Sequence, residues 1–529
     1  MSDVPDEQAA TVAFLSTPEA YGLRHGPIAR HATHGSIVFL AGERAYKLKQ
    51  AVKFPYMDYS TAARRKAMCE AELAVNRRLA PEIYIGVEPV VRTGNGALHI
   101  GKTSVADSPQ DWLVVMRRFD QGSLLESMRR RGALGPPLMR QLGERIAAFH
   151  AGAEPIAEFG GAQGIAAVID ENRDLLGKLA GRPFAPDKIA RLDALARQAL
   201  ADLRELLEER REKRFVRRCH GDLHMNNICV FDGRPVPFDA IEFLDSFACI
   251  DVFFDLAFLL MDMDRHGLRE DANIVLNRYL ERTGDYGGLA VLPLFMSCRA
   301  ALRAHVLVAM ADARHGSLDS AQAGEAMHLL DCAVAYLEPH EARLVAIGGV
   351  SGTGKSTLAA ALAPRLGRAP GAIVLRSDML RKQLWGTGEL TRLPPEAYDP
   401  GFTARVYDAL LARVGMILKA GYDVIADAVF GEGHQRIKLE SLAKREGVGF
   451  QGIWLTAPTD LLEQRIAARR GDASDATADV LHDQLARMST PADWRRIDVS
   501  GTSDEALGEI RRLFDQGAPL APTKPQGGG

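Results

Sequence analysis

Two short stretches carry side chains of the types and spacing that handle phosphate. Residues 219–227 read "CHGDLHMNN", in which His220, Asp222 and Asn227 follow the spacing H-x-D-x-x-x-x-N. A kinase catalytic loop uses this spacing to set a carboxylate near the acceptor hydroxyl and an amide oxygen on a magnesium ion. Residues 349–356 read "GVSGTGKS", which fits G-x-x-x-x-G-K-[ST], a phosphate-binding turn. Both stretches indicate phosphoryl-transfer chemistry.

A third group is expected to join the first stretch. Asp232 and Gly233 lie between apolar runs and predict a tight β-hairpin. The hairpin returns "PVPFDA" beside the strand that starts after Asn227, which brings Asp239 near Asn227 as a second metal ligand. The alternative is that these residues only form turns. We prefer the metal-site interpretation because three matches occur in the right order.

A lysine that binds phosphate is expected on an N-terminal strand. In "RAYK", residues 44–47, the side chain of Lys47 shares a strand face with Ala45, as in the kinase motif V-A-I-K. Lys49 points the same way and is an alternative. Glu72 on the following helix is the expected ion-pair partner and is preferred to Glu70. The competing interpretation is that these charges are solvated surface.

The second stretch predicts a P-loop, also called Walker A. Its glycines allow backbone N–H groups to wrap phosphates at the start of a helix. Lys355 is expected to reach the β- and γ-phosphates, and Ser356 to bind Mg²⁺. The residues predicted to contact the nucleotide are Gly349, Ser351, Gly352, Thr353, Gly354, Lys355, Ser356 and Thr357.

Two carboxylates follow apolar strands further along the chain. Asp378, in "RSDMLRKQ", is a candidate catalytic group for an acceptor hydroxyl, and the nearby Arg381 and Lys382 suit an anionic substrate. Asp427 ends the strand of "DVIADA", in the place of a Walker B metal ligand. The alternative for Asp378 is a helix N-cap, and a similar alternative applies to Asp427.

Two arginines four residues apart suggest a lid over the nucleotide. Arg465 and Arg469 lie on the helix "LLEQRIAARR". Small P-loop kinases use an arginine-bearing lid to exclude water and to stabilise charge on the transferred phosphoryl group. The alternative is a solvated helix face.

The elements that must position these groups differ between the two halves. Residues 1–338 predict an α+β domain, with a small β-rich lobe to about residue 120 and a helical lobe after it. Residues 343–517 alternate strands and helices, which predicts an α/β domain with a parallel, doubly wound sheet. The Pro/Gly-rich tail 518–529 is predicted to be disordered.

Bulk composition narrows the class of protein. The chain has 529 residues, 47% of them hydrophobic, and a formal net charge of -3. This fits a multi-domain soluble protein with no bulk attraction to nucleic acid or an acidic membrane. Six cysteines without a CxxC pair, and an acidic N-terminus without an apolar signal region, favour the cytoplasm. The apolar run at 251–260 is too short for a membrane span.

Residues of about 35–335 resemble the aminoglycoside phosphotransferase family, a branch of the protein-kinase-like fold. The likeness lies in "HGDLHMNN", in "FDAIEF" and in "AAFH" at 147–150. It implies ATP, magnesium and a hydroxyl acceptor, with Asp222 as catalytic base and Asn227 and Asp239 as metal ligands. His224 stands where a protein kinase has a lysine, and either touches the γ-phosphate or packs the loop.

The sequence departs from that of protein kinases in two places, the loop that covers the phosphates and the segment that docks a peptide acceptor. The N-terminal hairpin has no G-x-G-x-x-G, and no A-P-E segment follows Asp239. A peptide-docking segment has no room before the next helix. Both features favour a small-molecule acceptor over a protein.

Residues of about 343–515 resemble the small P-loop kinases of the gluconate, shikimate and zeta-toxin type. The two halves together resemble a bacterial group of fused aminoglycoside phosphotransferase-like and P-loop proteins. This resemblance implies a bifunctional kinase for small molecules such as a sugar, a polyol or an aminoglycoside-like compound. The alternative is one catalytic half and one nucleotide-sensing half. A polynucleotide kinase is disfavoured, because the basic run at 211–218 adjoins acidic residues. The sequence predicts neither the acceptors nor the oligomeric state.

Overall fold

A computed structural model describes residues 6–33, 35–54, 57–102, 108–315, 318–468, 473–488 and 490–515. The predicted disordered tail and Arg469 lie outside the described residues. The chain forms two compact units, residues 1–175 with 200–262 and residues 176–199 with 263–529.

The first unit contains an antiparallel sheet of six strands. Its alternating residues pack on two apolar clusters, so that Phe39 and Leu48 face one side and Leu40 and Ala45 the other. Lys47 shares the face of Ala45 because side chains alternate along a strand. In chain order the strands of this unit's N-terminal part are β1 (Ala29–Ala32), β2 (Ser36–Ala41), β3 (Arg44–Lys49), β4 (Lys53–Phe54), β5 (Met57–Asp58), β6 (Tyr84–Arg92), β7 (Leu98–Ile100) and β8 (Ser108–Arg117). The sheet order is β1-β2-β3-β8-β6-β7, and β4 pairs with β5.

Helices cover both faces of this sheet and then dominate the chain. Helix α2 starts after Thr61, whose hydroxyl accepts a hydrogen bond from the Arg64 N–H and caps the helix. The helices up to residue 264 are α1 (Ala9–Leu15), α2 (Ala62–Arg77), α3 (Leu125–Arg130), α4 (Pro136–Gly152), α5 (Gly161–Gly177), α6 (Pro186–Glu212), α7 (Asp245–Ala248) and α8 (Val252–Asp264).

Two short strand pairs frame the first candidate site. The hairpin predicted from Asp232 and Gly233 is confirmed, and both residues have positive φ, 48° and 74°. Two such residues in succession form the turn that suits a two-residue hairpin. The strands are β9 (Val216–Arg218), β10 (Ile228–Phe231), β11 (Arg234–Pro237) and β12 (Cys249–Asp251), with β10 paired to β11 and β12 to β9.

The second unit contains a parallel sheet of five strands, which confirms the predicted α/β fold. The strands are β13 (Arg343–Gly348), β14 (Ile373–Arg376), β15 (Val424–Asp427), β16 (Gly449–Thr456) and β17 (Arg495–Asp498). Their order is β14-β15-β13-β16-β17, so β14 and β17 are the edge strands. The P-loop follows the central strand β13, whose residues Val345 and Ile347 are fully buried.

The helices of the second unit include three that precede the predicted domain boundary. These are α9 (Arg269–Thr283), α10 (Leu292–His315) and α11 (Ser320–Leu337). Within α10, residues Leu292–Asp312 have the length and apolar composition of a membrane span, and 67% of that stretch is buried inside the structure, as in a core helix. The helices around the sheet are α12 (Lys355–Leu362), α13 (Ser377–Trp385), α14 (Pro400–Lys419), α15 (Gly433–Arg445), α16 (Thr459–Ala468), α17 (Ala478–Arg487) and α18 (Ser503–Asp515).

Candidate active sites

The stretch 219–227 forms a compact loop in the first unit. The Asn227 side-chain amide donates to the Asp222 carboxylate at 2.9 Å and to the Asp222 carbonyl at 3.0 Å. His224 Nε2 lies 3.3 Å from the same carboxylate, and the His224 ring packs edge-on against Phe258. Asp222 remains 38% exposed, which leaves its carboxylate accessible to an acceptor.

The hairpin brings Asp239 to this loop as the sequence predicted. The Phe238 N–H donates to the Asn227 carbonyl at 2.9 Å, so Asp239 follows a residue that is bonded directly to Asn227. His220 Nε2 lies 2.9 Å from the Phe238 carbonyl and ties the loop to the returning strand. Asp239 has a φ of 63°, and its N–H donates to the Tyr84 hydroxyl. Asn227 and Asp239 thus lie at adjoining ends of the hydrogen-bonded hairpin, and amide and carboxylate oxygens are a donor set that suits Mg²⁺.

The two candidate lysines occupy different environments. Lys47 Nζ lies 2.9 Å from Glu72 and 2.6 Å from Asp239, whose side chain is 44% exposed. Lys49 Nζ lies 2.7 Å from the other Glu72 oxygen and 2.5 Å from Glu242, and its side chain is 1% exposed. Lys47 thus joins the sheet to the proposed metal ligand, whereas Lys49 belongs to a buried ion-pair network. Glu72 is itself fully buried, unlike the exposed Glu70.

Burial and charge act in opposite directions on these groups. Burial acts to lower the pKa of Lys47, but the carboxylates of Asp239 and Glu72 outweigh it and raise that pKa well above its usual range. For Glu72, burial acts to raise the pKa, while Lys47 and Lys49 together lower it. The opposite charges therefore favour the ionised forms of Lys47 and Glu72.

Two parts of this site were missed in the sequence. The Tyr59 hydroxyl donates to Glu242 at 2.8 Å and completes the network around Lys49. Asp255 accepts the N–H groups of His220 at 3.1 Å and Gly221 at 2.8 Å, and lies 3.0 Å from His150 Nε2. Asp255 therefore anchors the loop 219–227. A carboxylate inside the most apolar part of helix α8 was the available signal.

The second candidate site is built around a single turn after β13. Gly349, Gly352 and Gly354 have positive φ values of 138°, 88° and 81°. A Cβ on Gly349 would lie 2.8 Å from the Leu455 carbonyl oxygen, so glycine is required at that position. Lys355 Nζ donates to the carbonyls of Gly349 at 2.9 Å and Val350 at 3.0 Å. The side-chain oxygen of Gln484, which the sequence did not indicate, accepts the Ser351 N–H at 2.7 Å.

The predicted metal ligands of this turn lie together. The Ser356 hydroxyl donates to Asp427 at 2.5 Å, and Arg376 Nε lies 3.8 Å from the same carboxylate oxygen. Burial raises the pKa of Asp427, and the opposing effects of Lys355 and Arg376 do not cancel it. Hydroxyl and carboxylate oxygens again suit Mg²⁺.

A cavity of about 1090 Å³ extends from the P-loop across the carboxyl ends of the strands. Asp378, Arg381 and Arg465 line it together with the P-loop. Asp378 is the second residue of α13, which is capped at Arg376, so the N-cap interpretation of Asp378 is wrong. Arg465 is held by a hydrogen bond of 2.8 Å from Nη2 to the Val499 carbonyl. Its predicted companion Arg469 lies outside the described residues.

The basic pair after Asp378 divides between two roles. Arg381 reaches the cavity wall, where it donates to the Ala397 carbonyl at 2.6 Å. Lys382 is instead 2% exposed and lies 3.1 Å from Asp475, so it does not clamp a substrate in the structure. Asp475 also accepts from Tyr398 at 2.8 Å and from the Leu393 N–H at 3.0 Å. It thereby links the segment after α16 to α13.

Comparisons with known proteins match both halves. The model of the "Phosphotransferase enzyme family" matches residues 42–292, and a model described as "AAA domain" matches residues 344–491. An uncharacterized protein of Mycobacterium tuberculosis is 30% identical over 493 residues, which cover 91% of this chain and 94% of that protein. The chain belongs to the same family as this mycobacterial protein.

The likeness to the mycobacterial protein extends over both parts of the chain. The chain is a fusion of an aminoglycoside phosphotransferase-like domain with a P-loop kinase domain. An adenylyl-sulfate kinase of Paraburkholderia xenovorans is 34% identical over 140 residues, 24% of this chain and 70% of that protein. A choline/ethanolamine kinase family structure from Mesorhizobium loti covers 62% of this chain and 97% of its own, with 15% identity and a TM-score of 0.36. The two kinase-type domains of the fusion support a phosphotransferase activity.

Proposed function

We propose that this protein is a bifunctional ATP-dependent phosphotransferase whose two sites transfer the γ-phosphoryl group of ATP to hydroxyls of small molecules. One observation carries the proposal: each site gathers a lysine, a pair of oxygen ligands and a separate accessible carboxylate. In the first site the accessible carboxylate is Asp222, which accepts from Asn227, and Lys47 is paired with Asp239. In the second it is Asp378, which lines the same cavity as Lys355.

In the first site Asp222 is the proposed catalytic base. Its carboxylate accepts the proton of the acceptor hydroxyl as the new O–P bond forms and the bond from the γ-phosphorus to the bridging oxygen of ADP breaks. The Asn227 amide orients that carboxylate at 2.9 Å, and His224 Nε2 approaches it from a second direction. Asn227 and Asp239 would hold Mg²⁺, which supplies charge neutralisation on the phosphates when bound.

Lys47 is the proposed phosphate lysine of that site. Its side chain is 14% exposed, and its Nζ lies 2.6 Å from the proposed metal ligand Asp239. Glu72 orients Lys47 from behind. Lys49 is proposed to hold Glu72 and Glu242 in place, because burial excludes it from solvent and from a ligand.

In the second site the P-loop residues 349–357 are proposed to bind the phosphates through backbone N–H groups and Lys355. Ser356 and Asp427 would hold the metal, Asp378 would act on the acceptor hydroxyl, and Arg465 would stabilise charge on the phosphoryl group. Arg376 and Arg381 in the cavity wall favour an acceptor that carries an anionic group besides its hydroxyl. We leave the first acceptor as a sugar, polyol or aminoglycoside-like compound.

A second candidate function follows from the turn between β2 and β3. Only Gly42 and Glu43 separate these strands, which is too short to fold over the phosphates as a kinase glycine-rich loop does. The first site is then a nucleotide sensor for a catalytic P-loop half. The proposed location for either function is the cytoplasm, since the six cysteines are free thiols.

A metabolite screen with ATP tests these functions. Full-length protein is incubated with a metabolite extract, and new phosphorylated masses are recorded for the wild type, Asp222→Ala and Lys355→Ala. A bifunctional enzyme loses one set of products in each variant. If Asp222→Ala leaves every product unchanged, the sensor function replaces the bifunctional one. If neither substitution removes a product, the phosphotransferase proposal is wrong.

A further inference from the structure

Edge strand β14 has an unusual neighbour. Its outer side faces no strand, because β14 stands at the end of the sheet. Helix α9 covers that side. The Asn277 side-chain oxygen accepts the Val374 N–H at 2.8 Å, and the Asn277 and Asn273 amides both donate to the Ala372 carbonyl, at 3.3 Å and 3.0 Å. Backbone groups that would pair with a further strand are thus satisfied by two asparagine side chains.

The chemistry of asparagine fits this place. A primary amide presents both a donor and an acceptor, as a neighbouring strand would. Asn273 is 3% exposed, and Asn277 also donates to the Asn273 side-chain oxygen at 3.1 Å, so the pair is mutually fixed. On the sheet side, a Cβ at Gly371 would lie 2.7 Å from Asn273 Nδ2. Glycine at 371 therefore permits the close approach of α9.

The contact continues from β14 onto the helix that follows it. Gln383 of α13 donates to the Glu281 carbonyl at 2.8 Å. Arg278, which is 8% exposed, lies 2.6 Å from Glu389 just beyond α13. Helix α9 consequently holds the segment 372–389 near both of its ends. The first turn of α13, between those ends, carries Asp378.

We propose that α9 is a positioning element of the P-loop kinase, in which Asn277 fixes β14 and thereby the Asp378 carboxylate at the acceptor side of the cavity. The inference rests on the proposed function, which assigns Asp378 to the acceptor. Helix α9 lies within residues 42–292, the part matched by the phosphotransferase model. The P-loop kinase of this fusion therefore depends on a helix that belongs, by sequence, to the other domain.

Amide hydrogen exchange on the full-length protein tests the contact. Asn277→Leu removes donor and acceptor with little change in size, Asn277→Gln retains both, and Glu270→Ala changes an exposed residue of the same helix. We expect Asn277→Leu to speed exchange over residues 373–385 by about tenfold or more, because it leaves the Val374 N–H without its acceptor and removes one donor to the Ala372 carbonyl. Exchange in β16 and the affinity for an ATP analogue remain within about twofold of the wild type. Asn277→Gln recovers part of the protection, and Glu270→Ala matches the wild type.

A chemical readout separates positioning from support of the fold. ATP hydrolysis, with water as acceptor, is measured in an Asp222→Asn background for Asn277→Leu, Asp378→Asn and their combination. If Asn277 acts through Asp378, the double variant is no slower than Asp378→Asn alone. Additive losses, unchanged exchange at 373–385, or faster exchange throughout the unit overturn the proposal.

Two further outcomes are distinguishable. If Asp378→Asn leaves hydrolysis unchanged while Asn277→Leu loosens 373–385, the assigned role of Asp378 fails, and the positioning proposal fails with it although the contact exists. If Asn277→Leu does not fold, Glu389→Gln, which weakens the Arg278 pair at a side chain that is 21% exposed, replaces it with a smaller expected effect in the same segment.

Discussion

The two candidate sites bring their charged groups together in different ways. In the first unit Lys47 and Glu72 lie on β3 and α2, and ion pairs join Lys47 to Glu72 and to Asp239, which follows β11. In the second unit one turn of eight residues, 349–356, presents backbone N–H groups and a lysine that rests on its own carbonyls. The first arrangement therefore depends on charge balance, and the second on backbone shape.

The buried carboxylates make the same contrast. Glu72 lies between two lysines, which outweigh burial and lower its pKa, whereas Asp427 has a hydroxyl at 2.5 Å and a guanidinium at 3.8 Å, and burial raises its pKa. Opposite charge at close range thus determines the direction of the Glu72 pKa shift, and desolvation determines that of Asp427.

Removal of the shared carboxylate should have the largest effect. Glu72→Ala leaves two lysines buried without their common partner and is expected to destabilise the first unit by about 3–5 kcal/mol. The free energy of unfolding is measured from hydrogen exchange of α2 and β3 in urea. Glu70→Ala, on the exposed side of the same helix, is the control and should cost under about 0.5 kcal/mol. Equal effects of the two substitutions would contradict a charge-built site.

The two lysines should separate into a ligand-binding and a structural group. Lys49→Met removes the cation from Glu242 and from one carboxylate oxygen of Glu72. It is expected to lower the free energy of unfolding by about 3 kcal/mol. Lys47→Met leaves the partly exposed Asp239 to solvent and removes one of the two lysines of Glu72. Because Lys49 still neutralises Glu72, this variant is expected to cost less, about 1–2 kcal/mol, and to lower the affinity for MgATP. Nucleotide titration in a Lys355→Ala background measures the affinity. The opposite assignment of the two effects would make Lys49 the phosphate lysine.

A methyl group should disrupt the backbone-built site. Gly349→Ala places a Cβ 2.8 Å from the Leu455 carbonyl at a φ of 138° and is expected to cost about 1–3 kcal/mol and to weaken nucleotide binding by the P-loop. Gly508→Ala serves as control, because Gly508 lies within helix α18 and its Cβ would meet no atom within 4 Å. Unchanged nucleotide affinity in Gly349→Ala would show that the turn does not require its observed conformation.

The smallest effect concerns pH. Because the pKa of Glu72 is lowered to about 2, its stabilising contribution is present above the ordinary glutamate pKa and is lost as the pH falls toward about 2. The pKa of Asp427 is raised, so its contribution is present at low pH and is lost as the pH rises through the raised value. The stability difference between the wild type and Glu72→Gln should therefore grow with pH, and that for Asp427→Asn should fall. Slopes of the same sign would remove the contrast.

Short sequence motifs predicted the parts of both sites that are built from consecutive residues. The loop 219–227, the Asp232-Gly233 hairpin and the P-loop each depend on a few consecutive residues, so their spacing carries the geometry. Lys47 and Lys49 could not be told apart, because residues two apart on a strand share a face. Contacts with Tyr59 and Glu242 give Lys49 a different environment from Lys47, and those contacts arise only from tertiary packing.

Other contacts gave weak signals or none. Asp255 was visible only as a carboxylate in an apolar helix, with no indication of the backbone groups that it accepts. Lys382 follows Arg381 and suggested the same role, but helical geometry turns adjacent side chains about 100° apart and directs Lys382 to Asp475. Asn277 reads as an ordinary polar residue of a helix, since nothing near it in the chain indicates the edge of β14.

The central claim is that one chain holds two separate ATP sites, and the stoichiometry of nucleotide binding tests it most directly. Full-length protein is titrated by calorimetry with a non-hydrolysable ATP analogue and Mg²⁺, alongside Lys47→Met, Lys355→Ala and the double variant. We predict two analogues per chain in the wild type, one at high affinity in either single variant and none in the double variant. One analogue per chain in the wild type, abolished by Lys355→Ala and unaffected by Lys47→Met, would contradict the claim.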